Sequence, residues 1–125
     1  MSEGHHDVSH HGNDPTRLDK VRRINRLHVN QLAQLLGRLK ATPEGARTLL
    51  DRCVVVYGSG IRDGDQHDHD DLPVLVAGGG VRGGWHLRSP AGTPLCNLYL
   101  SLLDRAGVTT DRFGDSTGRL VGWYD

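Results

Sequence analysis

The chain has 125 residues, which is long enough for one domain and too short for two of ordinary size. Only 36% of the residues are apolar and 17 are glycine, so any hydrophobic core must be small. The formal net charge is zero and no basic run is interleaved with aromatic residues, which disfavours nucleic-acid binding. No stretch approaches the roughly 18 consecutive apolar residues of a membrane span, and no export signal is visible, so the location of this chain stays open.

The amino-terminal third predicts a polar segment followed by a long helix. Residues 1–13, MSEGHHDVSHHGN, are histidine-rich and lack periodicity, so they can be disordered in isolation. Asp14 then suits a helix N-cap and Pro15 suits the first helical position. From Leu18 to Leu39 apolar residues recur at spacings of three to five, which predicts an amphipathic helix of about seven turns. Residues 42–45, TPEG, end this helix and begin a short second turn of helix.

Two apolar runs without alternation predict buried strands. Residues 54–57, VVVY, and residues 72–77, LPVLVA, are each bounded by glycine, as is typical of strands covered on both faces in a parallel sheet. The glycine-rich residues 78–84 predict a mobile hairpin. A second helix is expected from an N-cap at Thr93 to near Gly107, with these residues buried: Leu95, Leu98, Leu102 and Leu103.

The predicted order of elements is helix, strand, strand, helix, which indicates an α/β unit with two or three mainly parallel strands. A sheet so narrow has exposed edges, and exposed edges pair readily with another chain. We therefore expect either self-association or pairing with an absent part of the protein. Cys53 and Cys96 are predicted to be buried free thiols, with a disulfide between them left open.

Six of the eight histidines fall in two short segments. His5, His6, His10 and His11 open the chain, and His67 and His69 lie in the loop DGDQHDHDD at residues 63–71. Imidazole and carboxylate groups together suit zinc, iron or manganese, and a His-x-His spacing in a loop can chelate one ion. Each segment by itself is equally typical of a solvated polar stretch. Their occurrence together predicts one shared metal site.

The order of these segments resembles a known bacterial family. HHDVSHHGNDP, INRLHVNQLAQLLGRLKATPEG, TLLDRCVVVYGSGIRDGDQHDHDDLPVLVAGGG, TPLCNLYLSLLDRAGV and RFGDSTGRL are similar to the carboxy-terminal part of the family catalogued as domain of unknown function 1552. The resemblance covers nearly the whole chain. It implies that residues 1–125 are one unit, the carboxy-terminal fragment of a larger domain, and that the parent protein is exported to the periplasm or cell envelope.

That family is distantly similar to the alkaline phosphatase and sulfatase superfamily. The similarity implies a partial α/β sandwich and a site for a divalent metal, with candidate ligands in this order: His6, His10, His11, Asp63, His67 and His69. It also implies that the catalytic nucleophile belongs to an amino-terminal half that this chain lacks, which leaves the catalytic residues unknown.

Three hypotheses of function follow. The chain is part of a metal-dependent hydrolase of the phosphatase or sulfatase type and is inactive alone; or it is a non-catalytic metal-binding protein; or it is an interaction module that uses an open sheet edge. Substrate and metal identity stay open at this point.

Overall fold

The computed structural model describes residues 3–123, so the predicted segment 1–13 begins two residues outside the described part. The chain forms two compact units, one extending through Gly79 and the other starting at Gly80. The first unit contains seven of the eight elements and the second contains the last, as follows: α1 (His5–Ser9), α2 (Pro15–Ala41), β1 (Pro43–Glu44), β2 (Arg47–Thr48), α3 (Leu49–Arg52), β3 (Val54–Gly58), β4 (Val74–Gly78) and α4 (Cys96–Arg105).

The predicted long helix is confirmed as α2. Asp14 caps it as expected, because its carboxylate accepts a hydrogen bond from the backbone N–H of Arg17 at 2.9 Å. The helix ends at Ala41, where Thr42 leaves the helical conformation. The short turn of helix predicted to begin within residues 42–45 does not form there, because Pro43–Glu44 is β1, which pairs antiparallel with β2; a short helix, α3, begins at Leu49.

The apolar stripe of α2 is covered less than its periodicity suggests. None of its residues is fully buried, and Leu27, Val29 and Leu35 are exposed on 56%, 46% and 47% of their surface. The helix contacts α1 and α3, which have five and four residues. Elements this short cannot cover one whole face of a 27-residue helix.

The prediction of parallel strands is wrong. Both predicted strands exist, as β3 and β4, but they pair antiparallel from Val54 opposite Gly78 to Gly58 opposite Val74. The connecting loop folds back on itself through a bridge between Asp63 and Asp68, so the chain returns alongside β3. A parallel pair requires a longer crossover connection, usually through a helix. The described residues form two separate two-stranded sheets, which do not support the expected sandwich.

A close approach explains the glycines at the end of β4, Gly78 and Gly79. Gly78 has φ of 122°, and a Cβ there would lie 2.0 Å from the carbonyl oxygen of Cys53. The N–H of Gly79 donates to that same oxygen at 2.9 Å. Only glycine fits such a contact. Within the segment 78–84, where a hairpin was predicted, Gly78 ends β4 and turns occupy residues 79–80 and 83–84.

The second predicted helix is confirmed as α4, with two differences. It starts at Cys96 rather than near Thr93, whose hydroxyl donates instead to the carbonyl of Pro90. The buried face also differs from the predicted leucine stripe, with these residues buried: Asn97, Leu98, Leu100 and Ser101. Leu95, Leu102 and Leu103 are only half-buried.

Hydrogen bonds explain why polar residues of α4 are buried. The side-chain oxygen of Asn97 accepts from the N–H of Thr117 at 2.9 Å, and the hydroxyl of Ser101 accepts from the N–H of Leu120 at 2.9 Å. These bonds hold the carboxy-terminal segment along the helix. A buried polar group is tolerated when it is bonded in this way.

The small core predicted from composition is confirmed. Among residues 3–123, the buried apolar side chains are Val8, Leu98, Leu100 and Trp123. Cys53 and Cys96 are free thiols, each half-buried. Within the same part of the chain, none of the helices combines the length and apolar character needed to cross a membrane.

Candidate metal centre

Two histidines stand one helical turn apart on the first helix. His6 lies in α1 and His10 caps its carboxyl end, a spacing of four residues that places both rings on one side of the helix. Their Nε2 atoms are 3.3 Å apart. Between them Val8 is 4% exposed, so the side chain between the two histidines is buried in the first unit. The short helix therefore presents a pair of imidazoles.

A third histidine arrives from the loop between β3 and β4, residues 60–71, which we call the acidic loop. The ring centroid of His67 lies 4.8 Å from that of His10. His6, His10 and His67 each place one ring nitrogen within 4.8 Å of the other two. Among residues 3–123, this is the group of side chains that could hold a metal ion. His6 and His67 are exposed and His10 is half-buried. The structure thus brings the two histidine segments together.

The spacing of the two helical donors suits a metal ion. Zinc binds imidazole nitrogen at about 2.0–2.1 Å, which in a tetrahedral site separates two ligand nitrogens by about 3.3–3.4 Å. The 3.3 Å between the Nε2 atoms of His6 and His10 matches this separation. The third donor, within 4.8 Å, needs only a small movement to complete the set. Three protein ligands leave a fourth position for water or a substrate.

The other expected ligands, His11, Asp63 and His69, make contacts outside this group. The Nδ1 of His11 accepts from the N–H of Asn13 at 3.1 Å, and its Nε2 lies 3.6 Å from the carboxylate of Asp63. His69 places its Nδ1 2.6 Å from the carbonyl oxygen of Gly60, which can only accept, so Nδ1 donates. These three residues are not members of the group formed by His6, His10 and His67.

Internal contacts give the acidic loop a defined shape. Asp68 forms an ion pair with Arg62, and the carboxylate of Asp68 also accepts a hydrogen bond from the N–H of Asp70 at 2.8 Å. That hydrogen bond first, and Arg62 after it, hold the pKa of Asp68 below its ordinary value. Asp63 accepts from the N–H of Asp65 at 2.9 Å, which closes a turn just before His67. The carboxylates of this loop shape the backbone that carries His67.

Contacts that sequence reasoning did not single out join this loop to residues 4–13, which we call the histidine segment. The carboxylate of Asp65 accepts from the N–H of Gly12 at 3.0 Å. Gly64 lies so close to Ser9 that a Cβ on Gly64 would be 2.8 Å from the Cβ of Ser9. No local pattern encodes a contact between residues this far apart in the chain. The alternation Asp63-Gly64-Asp65 indicates a turn, but it does not indicate its partner.

No family model, curated protein or solved structure matches this chain.

Proposed function

We propose that this chain binds one divalent transition-metal ion through His6, His10 and His67. The supporting observation is the convergence of three imidazoles, two from α1 and one from the acidic loop, within 4.8 Å. A solvated polar stretch gives no reason for histidines so distant in sequence to meet. Because the donor set is all imidazole, zinc suits it best among the metals expected, iron is second, and manganese, which prefers oxygen ligands, suits it least.

The test is a titration of the full chain with zinc after removal of metal by a chelator. We expect one equivalent to bind to the wild type, and the single variants His6→Ala, His10→Ala and His67→Ala to lose this binding. His86→Ala is the matched control, because His86 is an exposed histidine of the second unit. Retention of one tight equivalent by His67→Ala would contradict the proposal. Imidazole binds either a proton or a metal, so the affinity must also fall as the pH is lowered.

We also propose that the ion serves hydrolysis in a parent protein of the phosphatase or sulfatase type. The open fourth position and the exposure of His6 and His67 favour this role over a purely structural one. A bound ion would polarise a phosphate or sulfate ester there, while the nucleophile would come from an amino-terminal half. The chain alone is then expected to bind metal without turnover. Metal-dependent hydrolysis of an aryl phosphate or sulfate by the purified chain alone would contradict this role.

A non-catalytic metal-binding protein is the alternative. It predicts that a parent protein with both halves binds zinc through the same histidines and still hydrolyses neither ester. The same two assays, metal content and ester hydrolysis on the parent and on its His67→Ala variant, therefore separate the alternatives. Loss of metal together with loss of activity favours the hydrolase.

The sheet formed by β3 and β4 supports a further proposal about partners. It has two strands, and within the described residues each has one edge without a strand partner. Such edges form main-chain hydrogen bonds with another strand. We expect them to pair with a strand of the parent protein or of a second copy. A monodisperse monomer at high concentration would contradict pairing between copies.

A further inference from the structure

Three contacts, which we call the clamp, join the acidic loop to the histidine segment. They are the hydrogen bond from the N–H of Gly12 to Asp65, the approach of the Nε2 of His11 to the carboxylate of Asp63 at 3.6 Å, and the packing of Gly64 against Ser9. On one side the contacting residues, Ser9, His11 and Gly12, flank His10, and on the other side His67 follows Asp65 by two residues. The clamp is therefore placed to decide whether the two sets of imidazoles meet.

We infer that Asp65, Asp63 and His11 are positioning residues of the metal site and not metal ligands. This inference rests on the proposed metal binding. His67 lies in a long connection between β3 and β4, and closing such a loop on a distant segment has an entropic cost. If the clamp offsets that entropic cost in the metal-free protein, the three imidazole donors are already close together before the ion binds. Residues of this kind change metal affinity by roughly 10- to 100-fold without touching the ion.

The hydrogen bonds of Asp63 support a positioning role. Its Oδ1 accepts from the N–H of Asp65 at 2.9 Å and from that of Gln66 at 3.4 Å. The same oxygen faces the Nε2 of His11 at 3.6 Å, slightly beyond hydrogen-bond length. One carboxylate oxygen thus fixes the turn before His67 and faces the histidine segment.

The environment of His11 is also that of a positioning residue. Its side chain is 12% exposed, and its Nδ1 accepts a backbone N–H, so a proton on the ring resides on Nε2, facing Asp63. A nitrogen that carries a proton cannot bind a metal ion. His11 therefore has neither ring nitrogen available for the ion while these contacts last. His10, its neighbour, keeps an Nε2 within the candidate group.

Asp65 provides the sharpest test because a conservative variant separates its role as a hydrogen-bond acceptor for Gly12 from a role as a charged metal ligand. Asp65→Ala removes the acceptor for Gly12, whereas Asp65→Asn keeps an oxygen that can accept the same bond. We would titrate the full, metal-free chain with Co²⁺ and follow its visible absorption, which reports the ligand set. We expect Asp65→Ala to weaken binding by roughly 10- to 100-fold with an unchanged spectrum at saturation, and Asp65→Asn to restore affinity to within about threefold.

The matched control is Asp70→Ala, which removes a carboxylate from the same loop. Within the described residues, the side chain of Asp70 makes no contact with the histidine segment. The affinity of this variant should equal that of the wild type. Gly64→Ala gives an independent route, because its new Cβ forces the loop away from Ser9 and should weaken Co²⁺ binding with no change of charge. Circular dichroism of each metal-free variant checks that it folds.

The outcomes are distinct. If the wild type binds no Co²⁺, the proposed metal binding fails and the inference fails with it. If the wild type binds and Asp65→Ala binds equally well, the inference alone is overturned. A changed spectrum in Asp65→Ala, with no rescue by Asp65→Asn, would make Asp65 a ligand and would overturn it too.

The pair of His11 and Asp63 has its own readout. Because the two side chains act through each other, the effects of His11→Gln and Asp63→Asn on Co²⁺ affinity should not add. The double variant should bind Co²⁺ with about the same affinity as whichever single variant binds it more weakly. Additive effects would mean that the two residues act independently, which would remove both from the clamp.

Discussion

His67 has φ of 53°, in the left-handed region that a side chain with a Cβ enters only at a cost of roughly 1–2 kcal/mol. Strained residues of this kind concentrate at functional sites because the surrounding structure holds them there. Here the turn closed by Asp63 and the contact with His10 fix the ring in place. The backbone strain and the candidate metal site therefore coincide at one residue.

Replacing His67 with glycine should separate binding from stability. His67→Gly removes one of three donors, so zinc affinity should fall by more than about 100-fold, beyond the range of outer-shell changes. Glycine adopts a positive φ without strain, whereas alanine does not. In urea unfolding of the metal-free protein, His67→Gly should therefore be as stable as His67→Ala or more stable, by up to about 1 kcal/mol. A less stable glycine variant would show that position 67 is not strained.

Single residues also show which parts of the site could be predicted. The two histidine clusters predicted a shared metal site, and the structure brings three of the six candidate ligands together, namely His6, His10 and His67. The sequence could not show that His11 and His69 would be occupied by local backbone contacts, because those contacts depend on turns at residues 11–13 and 60–69. The sequence showed which residues are candidate ligands, but it did not show the direction of each imidazole ring.

At the scale of elements, the first unit contains two very short helices, and only α1 contributes to the candidate metal site. α1 has only five residues, too few to form a stable helix alone, so its geometry depends on the burial of Val8 and on the clamp. α3 is one residue shorter and has a capping box, in which the hydroxyl of Thr48 accepts from the N–H of Asp51 and the carboxylate of Asp51 accepts from the N–H of Thr48. Capping of this kind replaces length as a source of helix stability.

The capping box of α3 predicts a pH dependence. The hydrogen bond from the backbone of Thr48, and then that from its hydroxyl, lowers the pKa of Asp51 from its ordinary value of 3.8. When the pKa of a carboxyl group is lower in the folded protein than in the unfolded chain, its ionised form stabilises the fold. This stabilisation is fully present at a pH above the unfolded-state pKa and is lost as the pH falls through the folded-state pKa. The wild type should therefore exceed Asp51→Asn in unfolding free energy at neutral pH, and the difference should shrink toward zero in acid.

Chemical unfolding of both proteins at several pH values measures this. Asp111→Asn is the control, since Asp111 is exposed and has no side-chain partner among residues 3–123. It should differ little from the wild type at any pH. A difference between the wild type and Asp51→Asn that persists unchanged into acid would contradict the role of the ionised carboxylate.

Strand direction was the main failure of prediction among the elements. Apolar runs at residues 54–57 and 72–77 located both strands, because burial on a sheet requires such residues. Their lack of alternation indicated a parallel sheet, but the direction of pairing depends on the loop. The bridge between Asp63 and Asp68 turns that loop back and makes β3 and β4 antiparallel. Hydrophobicity does not encode this bridge.

At the scale of the whole molecule, the chain divides at Gly79 and Gly80 into two compact units. The first contains the candidate metal centre, and the second is built on α4 and the carboxy-terminal segment bonded to it. Composition predicted the small core, since few apolar side chains were available to fill it. The side-chain hydrogen bonds of Asn97 and Ser101 fix the carboxy-terminal segment where few apolar residues are buried. No periodic pattern in the sequence predicts these hydrogen bonds.

The central claim is that one metal ion is held by imidazoles from two distant segments. X-ray absorption at the zinc edge, on the chain loaded with one equivalent, tests it most directly because the spectrum reports ligand type and number. We predict three imidazole nitrogens at about 2.0–2.1 Å and one further light atom at the open position. Sulfur scattering at about 2.3 Å, which would indicate Cys53 or Cys96 as a ligand, or a spectrum with no more than one imidazole, would contradict the claim.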